Sequence, residues 1–231
     1  MSSWRPRTLI LQHEEPTPPG HMTEWLAEQD AQVEVFRIDE NELEINPRDY
    51  NLIVSLGSEF AAFDDAIPFV QREVKLYQQA IAADVPILGL CFGGQLLARV
   101  LGSRLFRAER AEIGWLPLRT NDPELVSTGP WFQWHFDSFS APPGATLIAE
   151  TDAAPQAFVS GRNLGLQFHP EVTPEIMDEW VRAYPHELEA EGVDPHSLLA
   201  ETRQRAEQAK QTTWRLLNAF RDRVALEERA R

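Results

Sequence analysis

The sequence has one cysteine, few basic residues and no long hydrophobic run. A single cysteine in 231 residues excludes a disulfide within the chain. No stretch approaches the ~20 apolar residues that a membrane-spanning helix needs. Basic residues number 21 against 36 acidic ones, which argues against a general binder of nucleic acid or of anionic membranes, because both need a basic face. The N-terminal segment lacks the apolar core of a signal peptide, so we expect a soluble, cytoplasmic protein that binds neither nucleic acid nor membrane.

The first half of the chain alternates short apolar runs with segments of helical periodicity. Hydrophobic residues make up 43% of the chain, which is ordinary for a globular protein. Alternation of this kind is typical of parallel strands joined by right-handed helical crossovers. The pattern predicts strands over 8–12, 32–38, 51–56 and 86–90, and helices over 21–29, 68–83 and 96–101.

The second half has a different character, with short strand candidates separated by turns that contain proline and glycine. These strands, at 115–119, 131–139, 145–149, 156–160 and 164–168, indicate antiparallel additions to an α/β sheet. Residues 174–183 start like a helix, with Thr173 as the N-cap. Residues 197–231 read as one long amphipathic helix. This helix either packs on its own domain or serves as a partner or dimer helix, and the sequence leaves both open.

Cys91 lies where a buried strand should lead into a helix, and small residues flank it on both sides in Gly89-Leu-Cys-Phe-Gly-Gly-Gln95. A sharp strand–turn–helix elbow needs such residues, because it brings backbone close to backbone. The arrangement would place the sulfur at a helix N-terminus, which favours the thiolate, and would aim the Phe92 amide at a developing oxyanion. The alternative is that Cys91 is a small buried hydrophobic residue.

A cysteine nucleophile needs a base, and His169 is the best-placed histidine of the six. It follows the apolar run 164–168 and precedes Pro170, which favours an extended backbone at residue 169. Residues 169 and 171 then project in the same direction, so that Glu171 can hold the imidazole. Four other histidines have prolines or charges as neighbours, and we expect them to be exposed: His13, His21, His186 and His196.

The two motifs together, Gly-x-Cys-x-Gly-x-Gln and Gln-Phe-His-Pro-Glu, resemble those of the class I glutamine amidotransferases. The resemblance covers roughly residues 8–183, and within the family the chain resembles a stand-alone member like the glutaminase of GMP synthase. It implies a flavodoxin-like three-layer α/β sandwich with a mainly parallel sheet. It also implies a triad in which Cys91 is the nucleophile, His169 the general base and acid, and Glu171 the orienting group, while Gln95 contacts the glutamyl part of the substrate.

The resemblance implies two further parts of the site. The family's second oxyanion donor lies in a glycine-rich loop after an earlier strand, where this chain has Gly57 and Ser58, but the family's proline is replaced by Glu59. An ordinary turn between strand and helix is the alternative there. In the family's substrate-binding loop, His135 matches the usual histidine, Phe136 stands where glycine is common, and Trp134 where a small polar residue is common. These aromatic residues either pack the core or reshape the pocket for a larger leaving amine.

The expected activity is cysteine-dependent hydrolysis of a γ-glutamyl amide, with no metal and no cofactor. The enzyme would either hydrolyse glutamine as a subunit that supplies ammonia to a separate synthase, or act alone on a γ-glutamyl amine or peptide. A catalytically silent regulatory subunit is the third alternative. We expect a catalytic domain over residues 1–190 and a C-terminal helical extension over 191–231. The sequence leaves open whether a synthase partner or a homo-oligomer exists.

Overall fold

A computed structural model describes residues 4–40 and 45–226 and contains one eight-stranded sheet and one two-stranded sheet. The ten strands are β1 (Arg7–Gln12), β2 (Gln32–Arg37), β3 (Leu52–Ser55), β4 (Ile87–Leu90), β5 (Leu105–Leu116), β6 (Arg119–Thr120), β7 (Trp131–Phe139), β8 (Thr146–Glu150), β9 (Pro155–Ser160) and β10 (Asn163–Leu166). The α-helices are α1 (His21–Glu28), α2 (Pro68–Ala82), α3 (Phe92–Val100), α4 (Pro174–Ala183), α5 (Pro185–Glu191) and α6 (Pro195–Phe220).

The large sheet has the strand order β2-β1-β3-β4-β10-β9-β8-β6. Strands β2, β1, β3, β4 and β10 are parallel, whereas β9, β8 and β6 join the β10 edge in antiparallel pairing. The predicted α/β fold, mainly parallel with antiparallel additions, is therefore confirmed. In such sheets, ligands bind outside the carboxyl ends of the parallel strands.

Helices cover both faces of the large sheet, because alternate residues of each buried strand point to opposite sides. On one face, Ile10 lies in a cluster with side chains of α1 and the end of α6. On the other face, Leu9 and Leu11 lie in a cluster with side chains of α2 and α3. The strands β1, β3 and β4 are thus buried on both faces, which explains their continuous apolar sequence.

The small sheet pairs β5 with β7 in antiparallel register, and Glu112 lies opposite His135. Its aromatic side chains Phe132 and Trp134 pack in a third cluster with Trp180 of α4, Leu188 of α5 and Leu198 of α6. This cluster holds β7 close to α4, and so places the 134–136 segment beside the carboxyl end of β10.

The C-terminal helix packs on its own chain. Asp194 caps α6, because its carboxylate accepts hydrogen bonds from the first-turn amides. The helix contacts α1 and α4, and Leu216, Leu217 and Phe220 are buried in the cluster beneath α1. It ends at Phe220, earlier than predicted, and a π-helical turn follows over Arg221–Ala225. The predicted helical residues 227–231 lie outside the described residues. In the described part of the chain, no helix is both long and apolar enough to cross a membrane.

Two further predicted elements have the wrong boundaries. The strand predicted at 115–119 is the end of β5, which begins at Leu105 and stops at Leu116. Its first half was missed because residues 107–110 are mostly charged and partly exposed at the edge of a two-stranded sheet. Helix α3 begins at Phe92, not at residue 96. Two glycines in its first turn weaken the helical signal, although close packing requires them there.

Candidate active site

Cys91 forms a strained elbow between β4 and α3. Its φ of 48° and ψ of −105° place a residue with a side chain in a region that normally favours glycine. Glycines on both sides let the backbones approach: a Cβ on Gly93 would lie 2.5 Å from the Ser55 carbonyl oxygen, and one on Gly94 would lie 2.2 Å from that of Leu166. The Cys91 amide also donates to the Leu166 oxygen over 2.8 Å. The thiol is therefore held at the N-terminus of α3, beyond the carboxyl ends of β4 and β10.

His169 and Glu171 lie directly beside this thiol. The His169 Nδ1 is 2.7 Å from the Glu171 Oε1, and both side chains are buried. The Nδ1–H therefore donates to the carboxylate, which leaves Nε2 to face the thiol of Cys91. Both Nε2 and the Cys91 Sγ approach the Trp134 carbonyl oxygen, at 3.4 and 3.9 Å. The three side chains predicted from two distant motifs are thus brought together around the Trp134 carbonyl oxygen.

The electrostatics of this cluster favour a protonated imidazole. Burial would lower the pKa of His169, but the negative charges of Glu171 and of the Cys91 thiolate outweigh that effect and raise the pKa to about 10. A positive charge on an imidazole favours the thiolate form of a neighbouring cysteine, and the thiolate is the nucleophilic form.

The loop after β3 brings Gly57 against both side chains. A Cβ on Gly57 would lie 2.8 Å from the Cε1 of His169 and 3.7 Å from the Cβ of Cys91. The first distance is shorter than any ordinary contact of a Cβ, so only glycine leaves the imidazole in place. Ser58 follows and lines the cavity above the thiol.

Gly57→Ala should lower kcat by about 10–100-fold, because the new methyl group displaces either the imidazole or the loop, and small misplacements of reacting groups are costly. Steady-state glutamate release from a γ-glutamyl amide measures the effect. Gly144→Ala is the control for a loss of stability outside the site, since the φ of 74° strains alanine there although its Cβ meets open space. A Gly57→Ala enzyme as active as the Gly144→Ala enzyme would show that this close approach has no catalytic role.

The predicted substrate-binding residues surround the thiol on the other side. The Gln95 amide donates to the Asp137 carbonyl oxygen over 3.1 Å and to the Gln167 side chain over 3.3 Å. The indole of Trp134 donates to the Glu187 carboxylate over 2.6 Å and packs edge-on against Trp180.

His135 contacts two oxygen atoms. Its Nδ1 lies 3.2 Å from the Asp137 carbonyl oxygen, and its Nε2 lies 3.2 Å from the Glu112 carboxylate. The Arg107 guanidinium lies over the Phe136 ring, and its central carbon is 4.5 Å from the ring centroid. Trp134 and Phe136 thus pack against neighbours and also line the cavity. That they reshape the pocket for a larger leaving amine stays a prediction.

These groups enclose a single active-site cavity. The predicted residues that line it are Gly57, Ser58, Cys91, Gln95, Trp134, His135, Phe136 and His169. Phe92 and Glu171 are not part of its lining; Glu171 supports it through the His169 ring. Sequence reasoning did not assign a role to the remaining lining residues: Thr17, Glu59, Phe60, Arg107, Asp137, Trp180, Tyr184 and Glu187. In the described part of the chain, no group of three or more His, Cys, Asp or Glu side chains could hold a metal ion.

The expected exposure of two histidines is wrong. His13 and His21 are 0% and 5% exposed, although their neighbours in sequence are charged residues and prolines. His13 continues from β1 into the space beneath the 57–59 loop, where it contacts Glu73 and Gly57. His21 opens α1, and its amide donates to the Glu171 carbonyl oxygen over 3.1 Å. His186 and His196 are exposed, as predicted.

The model of the glutamine amidotransferase class-I family matches residues 21–182, which is most of the chain. This chain belongs to the class I glutamine amidotransferase family. It is 39% identical to a glutamine-hydrolysing GMP synthase of Thermus thermophilus over 136 residues, which are 54% of this chain and 26% of that protein. A GMP synthase of Aeropyrum pernix is 36% identical over 110 residues, 42% of this chain and 21% of that protein. The chain therefore spans about a quarter of the length of these curated relatives.

Solved structures of similar size cover the chain more completely. A glutamine amidotransferase from Thermotoga maritima superimposes with a TM-score of 0.85 at 32% identity, over 94% of this chain and 98% of the other. A glutamine amidotransferase from Methylobacillus flagellatus gives a TM-score of 0.86 at 27% identity, over 97% of each chain. The helices α5 and α6 lie beyond the residues that the family model matches, so Tyr184 and Glu187 add cavity lining from outside the matched segment.

Proposed function

We propose that the chain hydrolyses a γ-glutamyl amide through a glutamyl thioester on Cys91. The observation that carries this proposal is the line Glu171–His169–Cys91 at the end of the parallel strands, next to a cavity with an amide side chain, Gln95, in its wall. The family likeness supports the same chemistry, because the matched relatives are glutamine-hydrolysing enzymes by name.

In the first half of the reaction, the Cys91 thiolate attacks the γ-carbonyl carbon, and the carbonyl oxygen takes up the negative charge. The Phe92 amide at the start of α3 and the Ser58 amide are the proposed donors to that oxyanion. The C–N bond then breaks as the proton on the His169 Nε2 passes to the leaving nitrogen. The products of this half are a glutamyl thioester and a free amine, or ammonia when the substrate is glutamine.

In the second half, His169, now neutral, accepts a proton from water as the water oxygen attacks the thioester carbon. Collapse of the second tetrahedral intermediate breaks the C–S bond. Glutamate leaves, the thiolate returns to Cys91 and the proton remains on His169. Glu171 keeps the imidazole in one orientation through both halves and stabilises its charged form.

The nature of the leaving amine separates two versions of this function. The side chains of Trp134, Trp180, Tyr184 and Glu187 wall the cavity near His169, where the leaving nitrogen must receive its proton. Such a wall gives a substituted amine apolar surface to bind, which favours a self-sufficient hydrolase of γ-glutamyl amines or peptides. The similarity to GMP synthases supports the second candidate, a glutaminase that passes ammonia to a synthase partner.

Glutamate release by the purified protein alone tests the proposal and separates the candidates. The assay compares glutamine with a panel of γ-glutamyl amides, and Cys91→Ala provides the blank. Fast release from a substituted amide identifies a self-sufficient hydrolase. Slow release from all substrates that rises when a synthase is added identifies a glutaminase subunit. Release that does not depend on Cys91 contradicts the proposed function.

Phe136→Gly should shift the ratio of kcat/KM values toward glutamine by several-fold, if Phe136 supplies apolar surface that a larger leaving amine contacts. The ring lines the cavity, and glycine at this position of β7 removes its apolar surface. A change of this size corresponds to about 1 kcal/mol of differential binding. Phe63→Gly is the matched control, because Phe63 is 45% exposed and is not part of the cavity lining. Equal ratios in the two variants would make Phe136 a packing residue only.

A further inference from the structure

A series of buried, hydrogen-bonded side chains lies under the active site and ends at the 57–59 loop. The imidazole of His13 is fully buried and lies between two acceptors: its Nε2 is 2.8 Å from the Glu73 Oε2 and its Nδ1 is 3.1 Å from the Gly57 carbonyl oxygen. Ser55 donates to the other oxygen of Glu73 over 2.6 Å. A carbonyl oxygen can only accept, so Nδ1 carries a hydrogen and donates it to Gly57. The proposed mechanism uses neither His13 nor Glu73.

The next residue along the chain holds the other side of the same loop. A Glu14 carboxylate oxygen accepts from the Glu59 amide over 2.9 Å, and its second oxygen accepts from the Tyr184 hydroxyl over 3.2 Å. Glu59 stands where the family pattern has proline, and proline has no amide hydrogen to donate. The substitution is thus matched by a hydrogen bond that the family's proline could not make.

The two contacts fix the orientation of one peptide group. The Gly57–Ser58 bond is trans, so its carbonyl and its amide hydrogen point in opposite directions. His13 holds the carbonyl on the buried side, and the Ser58 amide therefore points to the opposite side. Among the hydrogen bonds of the described residues, none has the Ser58 amide as its donor.

We propose that His13 and Glu14 are positioning residues that hold the Ser58 amide in the oxyanion site. This inference rests on the proposed function, because an oxyanion forms only if Cys91 attacks a carbonyl group. His13 sets the direction of the peptide, Glu73 and Ser55 fix the His13 ring, and Glu14 anchors the residue that follows. Neither His13 nor Glu14 touches the substrate.

A pair of amide variants separates the two hydrogen bonds of His13. The side-chain amide of glutamine reaches the place of Nε2, so His13→Gln keeps the contact with Glu73 and loses the one with Gly57. Asparagine reaches the place of Nδ1, so His13→Asn keeps the donor to Gly57. We expect His13→Gln to lower kcat by about 10–100-fold with little change in KM, since loss of a whole oxyanion donor costs about 100–1,000-fold. His13→Asn should recover most of that loss.

The rate at which iodoacetamide alkylates Cys91 separates loss of the oxyanion donor from general damage to the fold. General damage would lower this rate as well as turnover. The displacement of iodide by the thiolate forms no oxyanion, so His13→Gln should react at the wild-type rate while its turnover is reduced. Wild-type turnover in His13→Gln, or equal losses of turnover and alkylation, would overturn the inference.

A crystal structure of His13→Gln tests the same inference independently of catalysis. We expect the Gly57 carbonyl to turn away from residue 13, and an unchanged carbonyl direction would overturn the inference even if the wild-type protein had no hydrolytic activity. Absence of Cys91-dependent turnover in the wild type would instead contradict the proposed function. The two failures are therefore distinguishable.

Discussion

Replacing Cys91 with alanine should lower glutamate release by about 10⁴-fold or more, with the fold intact. The thiolate supplies the covalent step, and what remains without a nucleophile is the modest effect of binding and of the oxyanion donors. The substitution removes one buried sulfur from a site whose shape is set by surrounding glycines, so the melting temperature should change little. Glutamate release and thermal unfolding on the same preparation measure both effects.

Cys91→Ser is the matched control, because it keeps the size of the side chain and replaces only the reactive atom. It should be nearly as inactive as the alanine variant, since nothing in the described part of the chain is arranged to activate a hydroxyl beyond what the thiol receives. Activity within a few-fold of wild type in Cys91→Ala would revive the alternative that this cysteine is only a small buried residue, and would favour a silent regulatory subunit.

His169→Asn should lower turnover by about 10³–10⁴-fold, because the chain then lacks both the base for water and the acid for the leaving amine. Glu171→Gln is the companion variant. It keeps the shape of the side chain but removes the charge that holds the imidazole, so its loss should be smaller. Wild-type rates in His169→Asn would contradict the assignment of His169 as the base.

The same variant has a signature in the stability of the protein. The pKa of His169 is raised to about 10 in the folded state, above the value of about 6.5 for an unfolded chain. The resulting stabilisation is complete below pH 6.5 and is lost as the pH rises toward 10. The free energy of unfolding of wild type relative to His169→Asn should therefore fall across that interval. Denaturant titrations at several pH values measure it.

The parallel half of the fold could be read from the sequence because its central strands are buried on both faces and its exposed edge strand β2 alternates polar and apolar residues. The centres of β1, β3 and β4 are continuous apolar runs, and the glycines around Cys91 mark the elbow. Strand β5 could not be read in the same way, since its first half carries charges that face solvent at a sheet edge. A local pattern predicts an element where apolar residues recur at a regular period, and the charged stretch of β5 interrupts that period.

The centre of the site could also be predicted, because Cys91 and the His169–Glu171 pair lie in compact motifs. The supporting residues could not, since each is distant in sequence from the atom it holds. His13 contacts Gly57, 44 residues away, and Tyr184 contacts Glu14, 170 residues away. Charged and proline-rich neighbours made His13 read as an exposed residue, whereas its partner Glu73 lies on a helix whose sequence pattern indicates only packing.

Trapping the covalent intermediate tests the central claim most directly. The wild-type protein is mixed with a γ-glutamyl amide that it hydrolyses, quenched in acid within the first turnover, digested and examined by mass spectrometry. We predict one added glutamyl group on the peptide that contains Cys91, formed and lost at rates consistent with turnover and absent in Cys91→Ala. Turnover without any adduct on that peptide, at a rate that Cys91→Ala preserves, would contradict the account.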